Sequence, residues 1–315
     1  MRRMQRKGGK MKKKIFALIM CAFCLFSAVS CEKNEENSGL NVVCTIFPQY
    51  DFTRNIAGDA ASVTLLVPPG KEAHSYEATV ADMAKLRRAD LVIYVGGDID
   101  GWVLTALEGT DIPTVSMLDA VTLLSGSCDA ESHEGHDHAD GVDQHVWTSP
   151  KNAILISEAI KDALIKIDAE NAALYTENCA NYVNKLSELD NKFESAAENA
   201  KNRMIVFAEK FPFRYLCEHY NIAHFAAFDG CGTQSEPSLT VLSSLASTVR
   251  ENELNAVLTI EFSASTVADW LAKETGTKVL TMHSCHSLTQ EEFKRGETYI
   301  SLMEKNLEAL TEAMK

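Results

Sequence analysis

Between Ser132 and Pro150 the chain reads S-H-E-G-H-D-H-A-D-G-V-D-Q-H-V-W-T-S-P, which places four of its nine histidines among carboxylates. Neutral imidazoles mixed with carboxylates are the donors that a borderline divalent cation such as zinc selects. The stretch has two parts. His133, His136 and His138 lie in a run without apolar periodicity, the composition of a tract that gathers metal weakly. His145 stands next but one to Trp147, with Asp143 two residues earlier to orient its ring and a helix start at Ser149-Pro150 just beyond. The tract is therefore expected to serve auxiliary metal capture, and His145 to be a primary ligand.

Three further segments carry candidate donors. His74 lies in the loop after the second expected strand, Glu209 just past the strand expected at 204–207, and His283 directly after the strand expected at 278–282. Cys285 and His286 are alternative donors beside His283, because His283-Ser-Cys-His286 offers three in four residues. In open α/β sheets ligands collect at the carboxyl ends of strands. His74, His145, Glu209 and His283 could thus meet in one cleft, where three imidazoles and a carboxylate would form a closed tetrahedral zinc site. A set richer in carboxylates would suit Mn²⁺ instead. Glu209-Lys210 also reads as a surface ion pair, His219 and His224 as structural or surface residues, and Glu236 and Glu261 as structural or hydrogen-bonding groups.

The elements that must position these residues follow from periodicity. Short apolar, β-branched runs at 41–48, 62–67, 89–95 and 113–117 alternate with helical stretches at 50–57, 80–89 and 100–107, and Pro68-Pro69-Gly70 stops the second strand. From 150 the pattern becomes helical. Tyr175, Cys179, Tyr182, Leu186, Leu189 and Phe193 form one stripe at alternating spacings of four and three. Strand–helix alternation resumes at 204–207, 213–220, 224–228, 238–252, 256–260, 265–275 and 278–282, with a last helix from 291. The expected fold class is α/β: two lobes with mostly parallel sheets joined by one long connector helix. The expected divisions are an N-terminal lobe at 41–149, a helical connector at 150–200 and a C-terminal lobe at 201–315.

The first 40 residues read as an address rather than as fold. Lys12-Lys13-Lys14, the apolar run 15–29 and Ser30-Cys31 resemble a secretory signal ending at a lipid-attachment cysteine, Cys31. The run is shorter than the roughly 20 residues of a bilayer span. Residues 1–31 are thus expected to be signal and anchor point, and the polar residues 32–40 a tether, which makes the protein exported and lipid-anchored, facing the periplasm or cell exterior. Removal of residues 1–30 leaves 22 basic against 44 acidic residues, a net charge of −22. That balance excludes nucleic acid, whose phosphates need a positive footprint. Beyond the signal and Cys31, six cysteines are scattered without a C-x-x-C pair, and Cys44 and Cys179 read as buried thiols.

Several motifs in order resemble the zinc/manganese-binding solute-binding lipoproteins of bacterial metal ABC importers, of the cluster A-I type. They are Ile46-Phe47-Pro48, Pro69 to Glu77, Asp143 to Trp147, Glu236-Pro237-Ser238, and Gly296-Glu-Thr-Tyr299 through Met303 to Asn306-Leu307. The resemblance implies two α/β lobes joined by a long helix, with His74 and His145 as ligands. The family's third ligand, a His or Glu before an aromatic F-x-Y, falls here on Lys210 ahead of Phe213-Arg214-Tyr215, so Glu209 is the expected substitute. The fourth falls on His283. Three histidines in the set tilt the expected cargo to Zn²⁺ rather than Mn²⁺, and the resemblance further implies a monomer, a membrane held through Cys31, and an ABC permease with its ATPase as partners. The alternatives are an exported zinc hydrolase, for which no H-E-x-x-H or G-x-S-x-G motif is present, and a metal-binding surface adhesin.

Overall fold

The alternating apolar runs fold into two parallel sheets in the computed structural model, which describes residues 39–124, 141–228, 237–264 and 266–315. The first sheet has the order β2-β1-β3-β4, formed by β1 (Leu40–Cys44), β2 (Ala61–Leu65), β3 (Leu91–Tyr94) and β4 (Thr114–Ser116). The second repeats that order as β6-β5-β7-β8, from β5 (Met204–Lys210), β6 (Ala223–Phe228), β7 (Ala256–Ile260) and β8 (Lys278–Met282). Every pairing is parallel, with Cys44 opposite Ile93 in one sheet and Phe207 opposite Leu258 in the other. β3 is buried along its whole length, which explains its unbroken L-V-I-Y sequence.

Parallel strands need crossovers, and helices supply them. Between β1 and β2 runs α1 (Phe47–Ala57); α2 (Val80–Leu86) and α3 (Trp102–Leu107) serve the rest of the first sheet. The long helical region is α4 (Pro150–Ile167) followed by α5 (Ala172–Glu198). The second sheet carries α6 (Arg214–His219), α7 (Leu239–Glu251), α8 (Thr266–Thr275), α9 (Gln290–Arg295) and α10 (Tyr299–Ala313). Among the described residues no helix is long and apolar enough to cross a membrane.

One continuous core joins both sheets. It runs from Val42 and Phe52 through Trp147, Ile160, Tyr175, Leu186 and Phe193 to Phe207 and Tyr299. The stripe on α5 is the spine of this core: Tyr175, Cys179, Tyr182, Leu186, Leu189, Phe193 and Ala197 are all buried. At 1.5 Å per residue α5 spans roughly 40 Å, long enough to touch elements of both sheets. It does so through named bonds: the Tyr182 hydroxyl donates to Asp51 on α1 at 3.0 Å, and Lys192 pairs with Glu304 on α10 at 2.8 Å. Each sheet buries its other face in a smaller cluster, Val43, Leu86, Val92 and Val103 in one, Val206, Leu245, Val257 and Leu271 in the other. Fully burying one such side chain contributes about 1.5–3 kcal/mol.

The region 150–200 is two helices, divided at residues 168–171 where a second helical stretch can start at Asp168; Asp168 accepts from the Asn171 amide and the Tyr175 hydroxyl, at 2.7 and 2.6 Å. Two local details depart from the pattern reading. Ser149 precedes α4 with Pro150 at the first helical position, but its hydroxyl pairs with His219 Nδ1 at 2.6 Å rather than capping the helix. The C-terminal helical stretch is likewise two helices. Gly296 ends α9 in the left-handed conformation at φ 76°, which costs glycine nothing, and Thr298 opens α10 with a capping box.

Candidate metal centre

Three loops bring three imidazoles together. Pro68-Pro69-Gly70 ends the run after β2, and the Gly70 amide, in a turn at φ 83°, donates to the Leu288 carbonyl at 2.6 Å. That bond ties the loop bearing His74 to the loop bearing His286. His145 comes from the turn before α4, and His286 from the loop between β8 and α9. The Nε2 atoms of His74 and His286 lie 3.0 Å apart, and those of His145 and His74 3.4 Å. One ligating atom from each of the three falls within 4.8 Å of the others. Donors on a common tetrahedral zinc, at 2.0–2.1 Å from it, stand about 3.3 Å apart. The cluster thus has the dimensions of one coordination shell.

The surroundings orient the lone pairs. Asp143 Oδ1 accepts from both the His145 backbone amide and His145 Nδ1, each at 2.8 Å. An ionised carboxylate only accepts, so Nδ1 carries the proton and Nε2 presents its lone pair to the cluster. Burial would raise the Asp143 carboxyl, but the neighbouring His145, its hydrogen bonds and Arg214 outweigh it and hold the group below its ordinary value. Arg214 Nε lies 3.6 Å from Asp143 Oδ2, and the Tyr215 hydroxyl donates to the Asp143 carbonyl at 2.8 Å. His286 is oriented by a second chain of bonds. The Ser284 hydroxyl donates to Glu261, whose carboxylate also accepts from the Ser284 amide at 2.7 Å. The serine oxygen then accepts from His286 Nδ1 at 2.7 Å, leaving His286 Nε2 unprotonated.

Burial, together with the neighbouring His145, His74 and His283, pushes His286 well below the ordinary imidazole range, so its ring is neutral at neutral pH. Two imidazole nitrogens 3.0 Å apart with lone pairs facing need a proton or a cation between them. The indole of Trp147 closes the inner wall: its Nε1–H donates to the Ser284 carbonyl at 2.8 Å, and its ring meets that of His286 edge-on, centroids 4.9 Å apart. The Tyr299 hydroxyl in turn donates to the Trp147 carbonyl at 2.6 Å.

Two of the expected donors lie outside this cluster. Glu209 is not in the cluster; it lies within β5, and its carboxylate accepts from the Ser263 hydroxyl at 2.5 Å. Lys210 lines the cavity instead, just past an irregularity in the β5–β6 pairing between Phe207 and Lys210. His283 is also outside the cluster. Asn306 on α10 clamps its backbone, accepting from the His283 amide at 2.6 Å and donating to its carbonyl at 2.7 Å. The His283 ring turns toward carboxylates: Nδ1 accepts from the Cys285 amide at 2.9 Å and lies 3.7 Å from Glu261, while Nε2 is 4.0 Å from Glu292. Cys285 at φ 61° reverses the chain between the two rings and delivers His286 to the cluster.

The Cys285 thiol is buried and donates to the His283 carbonyl at 3.6 Å; burial and nearby carboxylates push it well above the ordinary thiol range, unlike a metal-binding thiolate. Cys44, Cys179 and Cys217 are also buried free thiols. His224 stacks on Phe211 at 4.2 Å, and Glu261 is the hydrogen-bonding group its sequence context suggested. Cys31, His133, His136, His138 and Glu236 lie outside the described residues. The supporting role of Asn306 carries no local signal, because its partner is 23 residues away, and that of Ser284 depends on Glu261, also 23 residues away, as well as on nearby His286.

A model of the family described as zinc-uptake complex component A, periplasmic (ZnuA), matches residues 42–313. The chain belongs to this family. Among its ZnuA-family relatives, the zinc-binding lipoprotein AdcA of Streptococcus pneumoniae strain R6 is 34% identical over 306 residues, covering 94% of this chain and 60% of that protein. The chain therefore spans about three fifths of the length of that relative. The high-affinity zinc uptake system protein ZnuA of Bacillus subtilis strain 168 is 30% identical over 319 residues, 96% of this chain and 99% of that protein. The crystal structure of the Zn(II)-bound ZnuA-like domain of pneumococcal AdcA superimposes with a TM-score of 0.73 at 32% identity, over 88% of this chain and 99% of that domain.

Proposed function

We propose that this protein is the extracytoplasmic metal-binding subunit of an ABC importer, capturing Zn²⁺ on His74, His145 and His286 and releasing it to a membrane permease driven by an ATPase. The observation that carries the reading is the trio of imidazoles with Nε2 atoms 3.0 and 3.4 Å apart, two of them oriented by hydrogen bonds at Nδ1. Imidazole donors favour zinc over manganese, which takes harder oxygen ligands. Membership in the ZnuA family and the names of its relatives support the same reading. The protein acts by binding and release, not by turnover. Residues 41–149 and 201–315 serve as the two lobes, with 150–200 as the connector. Lipidated Cys31 holds the chain at the membrane, facing the periplasm or cell exterior, and His133, His136 and His138 gather metal for the site.

Zinc titration of the chain from Cys31 onward, in competition with a chromophoric chelator, tests the proposal. One tight equivalent is expected, lost in the double variant His74→Ala/His145→Ala. A double variant that keeps that equivalent would overturn the assignment. In cells, disruption of the gene should impair growth under zinc chelation and growth should return with added zinc; unimpaired growth and zinc accumulation would overturn the import role.

A further inference from the structure

The cavity above the imidazole cluster is larger than a bare ion needs. It measures about 450 Å³ and is lined by His74, His145 and His286 together with Lys210, Glu261 and Ser287. Lys210 is half-buried at the end of β5, and its four-carbon stem carries a compact positive charge into the same space as the metal-binding nitrogens. Neutral imidazoles contribute no charge, so a divalent ion on them keeps both of its own. Of the carboxylates lining the cavity, Glu261 is committed to the Ser284 amide and hydroxyl and so supports the orientation of His286, and Glu72 accepts from the His74 amide at 3.3 Å. Zinc takes four ligands in tetrahedral geometry and, where the protein supplies three, accepts an exogenous group in the fourth position.

We infer that a metal on His74, His145 and His286 is bound together with a small oxygen anion, a carboxylate or bicarbonate, which occupies the fourth position and is held by Lys210. The inference rests on the metal-site reading above. In physical terms the anion coordinates the metal through one oxygen and accepts a charge-assisted hydrogen bond from the Lys210 ammonium, and it neutralises part of the charge that accumulates in the cavity. The cargo is then a metal–anion pair, and anion supply sets the apparent metal affinity.

The test uses the chain from Cys31 onward loaded with one equivalent of Co²⁺, whose visible absorption reports its ligands. Acetate and bicarbonate are titrated separately, which tells the two sources apart. A saturable spectral change with either is expected, about tenfold weaker in Lys210→Met, the loss of one charge-assisted contact, and retained in Lys210→Arg. Lys210→His, which supplies a fourth imidazole, should keep the cobalt and abolish the anion response. A cobalt-loaded protein that ignores both anions, or responds equally in Lys210→Met, would overturn the anion proposal while leaving the metal site intact. Failure to bind cobalt with or without anion would overturn the metal-site reading and this proposal with it.

Discussion

His283 and His286 stand three residues apart in one loop, and replacing each by alanine separates the proposed ligand from its neighbour. His286 contributes one of three clustered nitrogens, 3.0 Å from that of His74. Apparent free energies of about 10–16 kcal/mol for a four-ligand zinc site assign roughly 3 kcal/mol to each ligand, so His286→Ala should weaken zinc binding about a hundredfold. His283 instead accepts from the Cys285 amide and faces Glu261 and Glu292. Its removal leaves a buried amide without an acceptor, a cost of about 1–3 kcal/mol in stability, with zinc affinity changed by no more than about threefold. Competition titration with a chromophoric chelator at neutral pH measures the affinities, and thermal unfolding of the metal-free proteins measures the stability cost. The reasoning fails if His283→Ala loses as much zinc affinity as His286→Ala, or if His286→Ala binds zinc like the wild type.

Other outcomes follow from the same structure. Asp143→Asn keeps an acceptor for His145 but removes the charge that sets its tautomer, so zinc affinity should drop by at least about tenfold in the same titration; an unchanged affinity would show that Asp143 does not orient the ligand. Deletion of Ser132 to Ala139 should leave one tight zinc equivalent, and loss of that equivalent would move the site into the His-rich tract. Asp51, buried among the Tyr182 hydroxyl and the Tyr299 amide, is raised to about 6 because burial outweighs those hydrogen bonds. A carboxyl raised on folding contributes stability below its unfolded value near 4 and loses it as pH rises through 6. Asp51→Asn does not titrate, so its stability relative to wild type should improve by about 1 kcal/mol between pH ~5 and ~7, as read from urea unfolding midpoints. Parallel stability–pH curves would exclude Asp51 as the titrating group.

Much of this architecture was legible because it is written in short-range patterns. The stripe from Tyr175 to Phe193 repeats on one helix face, and all six residues are buried on α5. The apolar runs at 41–48 and 89–95 hold strands, buried from Val42 to Cys44 and along the whole of Leu91–Tyr94, because continuous hydrophobicity suits a parallel sheet covered on both faces. The interest of His145 was legible for a similar reason: its orienting carboxylate, Asp143, is two residues away, so the imidazole and its support share one segment.

The rest depended on residues remote from one another in the chain. Three donors in His283-Ser-Cys-His286 are equivalent by type and spacing; which of them reaches the imidazole cluster is set by Asn306, 23 residues on, which clamps the His283 backbone, and by the left-handed turn at Cys285. Likewise, Glu209 and Lys210 differ by one position, and only the direction of each side chain from β5 sends the lysine to the cavity and the glutamate to Ser263. Periodicity and turn chemistry are properties of neighbours, so the order of strands and helices and the residue types able to bind metal are encoded locally. The imidazole cluster is a meeting of three loops, set by strand order, helix packing and single backbone torsions that no local pattern records.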